Sequence, residues 1–251
     1  MSDIFRRIEA LQGPAPWGRF LDAGTGWASL RWAQTLETES LTAVTGSARR
    51  LERLQHDFAA GLREKDRLLC GNWVDESFLQ GEGFETILVD YLVGAMDRFA
   101  PYFQTRIFRR LKPLVQGRLY VVGLEPYPEP AASQEDGDLL QQLVALRDAT
   151  ILLSGDRPHR EFPRWWVREQ LTLAGFEIVK EETYPILYGE QFVNAELDVC
   201  RETLKMVPEA LRSALAKYEK SVRKRLLQRV KNRPLSWGND YLLVASSVNV
   251  S

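Results

Sequence analysis

The stretch that most constrains this chain is Arg19-Phe-Leu-Asp-Ala-Gly-Thr-Gly-Trp-Ala-Ser29. An apolar pair, Phe20-Leu21, ends on Asp22. A glycine-rich turn follows at Gly24, Thr25 and Gly26, and residues 27–36 have the composition of a helix. Strand, tight turn and helix in that order put a small ligand at a helix start. Glycine lets backbone approach a ligand with no Cβ in the way. The first helical N–H groups lack intrahelical partners and suit an anion. Two glycines alone make a short motif, so the rest of the chain must supply the context.

That context is an alternation of strand and helix. Ile4, Phe5, Ile8 and Leu11 have helical spacing, and Gly13 to Pro16 end that element. Residues 19–22 and 41–44 read as strands. Ser47 is placed to cap a helix over 48–61. Residues 67–70 form a third strand, with Cys70 expected to be buried, and 84–90 a fourth. The unbroken apolar run of the fourth suits a strand covered on both faces. A helix over 98–111 carries Phe99, Phe103, Ile107 and Leu111 on one side. A fifth strand occupies 119–123. This order predicts a doubly wound α/β fold with a mostly parallel sheet. Ligands of such sheets sit beyond the carboxyl ends of the strands. The informative positions are therefore Asp22, Thr45, Gly71, Asn72, Trp73, Asp90, Tyr91 and Glu125.

After residue 123 the character changes. No Lys or Arg occurs from Leu119 to Leu146, whereas Glu125, Glu129, Glu135, Asp136 and Asp138 do. Residues 137–148 look helical, and Pro163 can open a further helix that stops at Gly175. Strands at 176–180 and 241–245 bracket a helical region over 190–231. In the last part of that region Leu211, Leu215, Tyr218, Val222, Leu226 and Val230 recur at helical spacing. The other side is basic, with nine Lys and Arg from Arg212 to Arg233 against Glu219 alone.

Composition bounds the function classes. The 251 residues carry a net charge of −1, which argues against wholesale nucleic-acid binding. Cys70 and Cys200 are too few for a disulfide framework and read as reduced, cytosolic thiols. No apolar run is long enough to span a membrane. No spacing of His, Cys, Asp and Glu suggests a metal site.

The order of these pieces resembles the Rossmann-like (class I) S-adenosylmethionine-dependent methyltransferases. Leu21-Asp-Ala-Gly-Thr-Gly26 looks like their first motif, acid-x-G-x-G. Gly71-Asn72-Trp73 is similar to the motif after the third strand, where a polar residue meets adenine N6 and an apolar neighbour packs on the ring. Val89-Asp90-Tyr91 stands at the place of the fourth-strand motif. The resemblance implies a seven-stranded sheet with an antiparallel last strand and S-adenosyl-L-methionine as cofactor. It implies cofactor contacts at Asp22, Gly24, Thr25, Gly26, Thr45, Gly71, Asn72, Trp73 and Asp90. Two departures stand out. The family usually has an acid at the end of the second strand to bind both ribose hydroxyls, and here the position is Thr45. A short turn usually joins the last two strands, and here a helical insertion intervenes.

The expected organisation is one methyltransferase domain. A helical lid over 1–18 precedes a cofactor half over 19–123. A substrate side over 124–189, a helical insertion over 190–235 and the last strand over 236–251 follow. The expected activity is methyl transfer to a small-molecule acceptor by a cytoplasmic monomer or homodimer, with no nucleic-acid or membrane partner. Asp90, Tyr91 and the loop residue His159 are candidates for proton transfer, with Glu125 a further helper. Trp165 and Trp166 are candidate walls. The acidic segment over 125–138 suits an amine-bearing acceptor. The alternatives are an RNA- or protein-directed methyltransferase that uses the basic helix at 212–233, and a non-catalytic nucleotide-binding module.

Overall fold

The computed structural model describes residues 3–128 and 135–247. Seven strands form one sheet: β1 (Arg19–Asp22), β2 (Ser40–Thr45), β3 (Arg67–Cys70), β4 (Phe84–Asp90), β5 (Val115–Leu124), β6 (Phe176–Tyr188) and β7 (Leu235–Ser247). Their spatial order is β3-β2-β1-β4-β5-β7-β6. The β3-β2, β2-β1, β1-β4 and β4-β5 pairs are parallel. The sheet is mixed, with one antiparallel strand, as the sequence led us to expect. The helices are α1 (Asp3–Gln12), α2 (Trp27–Ala33), α3 (Ala48–Phe58), α4 (Leu92–Phe99), α5 (Ile107–Leu111), α6 (Glu135–Leu153), α7 (Arg164–Leu173), α8 (Glu190–Leu204) and α9 (Glu209–Val230).

The chain divides into two compact units. The first comprises the chain up to Leu124, residues 162–183 and the chain from Tyr241 onward. The second comprises 125–161 and 184–240. The insertion expected over 190–235 thus belongs to a larger unit that also takes in α6.

In the first unit, alternate residues of each central strand serve opposite faces. Leu21, Val44, Ile87, Val89, Leu119 and Val121 meet α4, α5 and α7 through Met96, Phe108 and Leu171. An aromatic group covers the other side. Trp17 lies edge-on to Phe20 at 5.9 Å and to Trp32 at 5.8 Å, and Phe5 of α1 stacks on Trp32 at 4.6 Å. Polar contacts fix α1 in place. The Tyr120 hydroxyl donates to Gln12 Oε1 at 2.6 Å, and Arg7 Nε donates to Glu182 at 2.7 Å. Burial of Ile4, Phe5 and Ile8 stabilises this packing by roughly 1.5–3 kcal/mol per side chain.

Several element boundaries differ from expectation for local reasons. The helix expected over 98–111 is broken. Helix α4 ends at Phe99, Pro101 follows without an N–H to donate, and Tyr102 takes φ +71° before α5 begins. Pro208 likewise separates α8 from α9. Cys70, expected to be buried, is exposed because β3 is the edge strand. Ser47 does cap α3, its hydroxyl accepting from the Arg50 N–H at 3.3 Å.

The second unit packs α6, α8 and α9 around Leu140, Leu143, Val193, Leu197, Val222 and Leu226. The apolar stripe of α9 is only partly used: Val222, Leu226 and Val230 are buried, while Leu211 and Tyr218 are exposed. Its basic side is tied into the unit. Arg223 Nε reaches Glu219 at 2.7 Å, and Arg229 Nε reaches Asp136 at 2.7 Å. Of the nine basic residues from Arg212 to Arg233, Arg223, Arg229 and Arg233 are ion-paired.

Candidate active site

The turn after β1 is held by its neighbours. The Ala23 N–H donates to the Leu88 carbonyl at 2.9 Å, and the Thr25 N–H donates to the Val44 carbonyl at 2.7 Å. The turn is therefore fixed to β4 on one side and β2 on the other. A Cβ at Gly24 would stand 2.9 Å from Leu92 Cδ1, so packing against α4 requires glycine there. A Cβ at Gly26 would meet nothing within 4 Å. The protein itself leaves that space open, which suits a ligand passing over the turn. Gly26 caps α2, and Ser29 Oγ accepts from its N–H at 3.0 Å.

Asp22 lies under this turn. Its carboxylate is fully buried, and neither oxygen has a hydrogen-bond partner. Burial pushes its pKa up to about 6. The Thr25 and Ser29 hydroxyls and the Gly24 amide pull it partly back. They favour the charge electrostatically without reaching hydrogen-bond geometry. Asp22 is not among the residues lining the cleft described next. Its part is to set the electrostatics of the turn.

A cleft opens at the carboxyl ends of β1, β2 and β3. Gly24, Thr25, Thr45, Gly46, Arg50, Gly71, Asn72 and Trp73 line it from the sheet, and Leu92, Ala95, Met96 and Phe99 line it from α4. Six of the nine residues expected to hold a cofactor are thus brought together: Gly24, Thr25, Thr45, Gly71, Asn72 and Trp73. Asp22, Gly26 and Asp90 do not line the cleft. Thr45 is buried, and its hydroxyl accepts from the Ser47 N–H at 3.3 Å. Asn72 is exposed. Its Nδ2 donates to the Phe99 carbonyl at 3.0 Å, and its Oδ1 accepts from the Val74 N–H at 3.2 Å. Trp73 is both wall and core: its indole N–H donates to the Ala23 carbonyl at 2.8 Å, and its ring meets Phe78 edge-on.

Asp90 ends β4 half-buried. Tyr91 follows with φ +49° and ψ +16°, a left-handed conformation that costs a non-glycine residue of order 1 kcal/mol and recurs at functional sites. The Tyr91 N–H donates to the Val122 carbonyl at 3.0 Å, and α4 starts at the next residue. His159 is exposed in the loop after α6 and belongs to the second unit. Trp165 is exposed, whereas Trp166 packs on Phe162 at 4.6 Å against the first core.

Two parts of the cleft escaped the sequence reading. One is the start of α4, whose Leu92, Ala95 and Met96 line the cleft but fall before the helix start expected at 98. The other is Arg50, which lines the cleft from the first turn of α3. The signal for it was its place three residues after a capping serine.

The second unit holds a buried polar group of its own. Tyr127 stacks on Trp237 at 4.5 Å. Trp237 Nε1 and the Tyr188 hydroxyl are buried without partners, the Tyr127 hydroxyl lying near that of Tyr188 but outside hydrogen-bond geometry. Arg147 pairs with Asp148 at 2.9 Å and Glu196 at 3.0 Å, and burial pushes the Glu161 carboxyl up. Among the described residues no group of His, Cys, Asp and Glu is arranged to hold a metal ion. No described helix is long and apolar enough to cross a membrane.

No family model and no curated protein sequence matches the chain. Solved structures do. The chain is similar to a Bacillus halodurans protein assigned as a methyltransferase, with TM-score 0.62 and 15% identity over 98% of this chain and 99% of that one. It is similar to the cyclopropane synthase MmaA2 from Mycobacterium tuberculosis, with TM-score 0.55 and 20% identity over 92% and 79%. The mycolic acid cyclopropane synthase CmaA1, solved with SAH, gives TM-score 0.56 and 15% identity over 98% and 86%. These likenesses establish a Rossmann-like methyltransferase fold.

Proposed function

We propose that the chain is a cytoplasmic enzyme that transfers a methyl group from S-adenosylmethionine to a small-molecule acceptor. The observation that carries this reading is the cleft itself. Gly24 and Thr25 of the first turn, Thr45 at the end of β2, and Asn72 and Trp73 after β3 line one cavity in a sheet of order β3-β2-β1-β4-β5-β7-β6. The open space over Gly26 fits a ligand lying across the turn. The neighbour CmaA1 was solved with SAH, which supports the same ligand class here.

The residues at hand fit the cofactor. Gly24 and Thr25 would hold its amino-acid end, and Asn72 and Trp73 would flank adenine. When bound, the sulfonium group supplies an electrophilic methyl. The chain's part is to bind and orient both reactants and to exclude water, which accounts for most of the barrier reduction in such a displacement. An amine or hydroxyl acceptor must lose a proton. Asp90 and Tyr91, which precede the cleft residue Leu92 in the chain, are our candidates to take it.

Isothermal titration tests this reading. S-adenosylhomocysteine binding in the micromolar range is expected. No heat and no thermal shift at millimolar ligand, with NAD binding in its place, would overturn it.

A further inference from the structure

We propose that the Thr45–Arg50 end of the cleft is an anion subsite that takes a phosphate carried on the ribose of a nucleoside. This rests on the cleft being a nucleoside site, as proposed above, and goes beyond it.

The argument starts from charge. Among the described residues that line the cleft, Arg50 is the only charged one. Its remaining wall is neutral: glycines, Thr25, Thr45, Asn72 and the apolar side of α4. Arg50 is half-buried, and among the described residues no carboxylate stands within ion-pair reach of its guanidinium. The charge that acts on it is that of Arg98, which is of the same sign and, after burial, depresses its basicity further. A partly buried cation beside a second cation is costly unless something anionic completes it. An arginine stays protonated throughout the ordinary pH range.

The position sharpens the chemistry. The end of the second strand in a nucleotide-binding α/β sheet faces the ribose. An acid there accepts from both ribose hydroxyls and repels a ribose phosphate. Here the residue is Thr45, and its hydroxyl already accepts from the Ser47 N–H. No acid stands there, and a guanidinium lines the same cleft, five residues on in the chain. That exchange inverts the polarity of the subsite from acceptor to donor. General experience with dinucleotide folds points the same way, since a nearby arginine there accommodates a ribose phosphate. Helix α3 starts at Ala48 and adds the positive end of its dipole. The helix start is an accessory; Arg50 carries the argument. A guanidinium also presents two parallel N–H groups that match phosphate geometry.

The test uses the full chain and three probes: adenosine, adenosine 2′-phosphate and adenosine 3′-phosphate. Inorganic phosphate serves as the free-anion arm. Titrations are run at two salt concentrations on the native protein, Arg50→Gln and Arg50→Lys. One ribose phosphate should bind about tenfold or more tightly than adenosine. That preference should shrink with salt, vanish in Arg50→Gln and return in part in Arg50→Lys. Adenosine binding as tightly as both phosphates overturns the inference, as does a preference that survives Arg50→Gln. Inorganic phosphate binding as tightly as the nucleotide overturns the ribose-linked part. S-adenosylhomocysteine is titrated alongside. Its binding without any phosphate preference would sink this inference alone, and a phosphate preference without its binding would sink the methyl-donor reading alone.

Discussion

The indole N–H of Trp73 donates to the Ala23 carbonyl at 2.8 Å and so ties the loop after β3 to the turn after β1. Both residues line the cleft, and Trp73 is buried. The bond joins the ends of β2's two neighbours and holds two cleft-lining loops in one geometry. Trp73→Phe keeps most of the ring but leaves the Ala23 carbonyl without its donor. A loss of about 1–3 kcal/mol in unfolding free energy is expected. Ligand affinity should fall with it, since the turn loses a restraint. Urea denaturation and S-adenosylhomocysteine titration of the same variant would check both, and an unchanged unfolding midpoint would contradict the structural role of this bond.

Asp22 gives a pH dependence whose sign is fixed by its burial. Its folded pKa is about 6, against an ordinary value of 3.8. The folded protein therefore holds the proton more tightly than the unfolded chain does. Stability from this group is present at low pH and falls as pH rises from about 4 to about 6, then levels. Two units correspond to at most about 3 kcal/mol. Asp22→Asn removes the buried charge. The variant should melt several degrees higher than the native protein above pH 6, and the gain should disappear near pH 4. Melting curves across that range decide it; a difference that does not change with pH would show that Asp22 is not the titrating group.

The sheet was legible in the chain because each of β1, β2, β4 and β5 carries its own apolar run, closed by a turn or a capped helix. The turn at Asp22 to Gly26 and the Gly71–Trp73 segment were legible for the same reason, since strand ends in such a sheet converge. What escaped depends on tertiary context. Helix α4 begins at Leu92, after Tyr91 has taken a left-handed conformation that no local signal announces. Arg50 is one cation among many in a polar helix, and only the packing of α3 beside Gly46 brings it to the cleft. Cys70 was misplaced because strand order, and hence the edge position of β3, is not written in any single strand. The union of α6 with the later insertion was equally hidden, being a contact between segments far apart in the chain.

Thr45 invites the reverse experiment to Arg50→Gln. Its side chain lines the cleft and its hydroxyl caps the Ser47 N–H. In Thr45→Glu a carboxylate would stand beside Arg50 and could accept from ribose hydroxyls. Affinity for S-adenosylhomocysteine should stay level or rise, and any preference for a ribose phosphate should drop. A loss of S-adenosylhomocysteine affinity beyond about tenfold, roughly 1.4 kcal/mol, would show that Thr45 fits the site in some other way.

The basic side of α9 is the feature that would serve a nucleic-acid substrate, and its pairing argues against that use. Arg223 bonds Glu219 at 2.7 Å and Asp198 at 2.8 Å, Arg229 bonds Asp136 at 2.7 Å, and Arg233 bonds the same carboxylate at 3.1 Å. Arg225 donates to Gln142 at 2.7 Å. A phosphate backbone would have to displace these partners before it gained a contact. Exposed ion pairs are worth only about 0–1 kcal/mol each, so displacement is possible, but the counterions released per phosphate would be fewer than for unpaired cations. We therefore expect no RNA or DNA complex tighter than the non-specific range of about 10⁻⁴–10⁻⁶ M at physiological salt. Fluorescence anisotropy with single- and double-stranded probes at two salt concentrations would measure this. A sub-micromolar, salt-sensitive complex lost in the triple change Arg223→Glu, Lys224→Glu and Arg225→Glu would make a macromolecular acceptor the better reading of the whole chain.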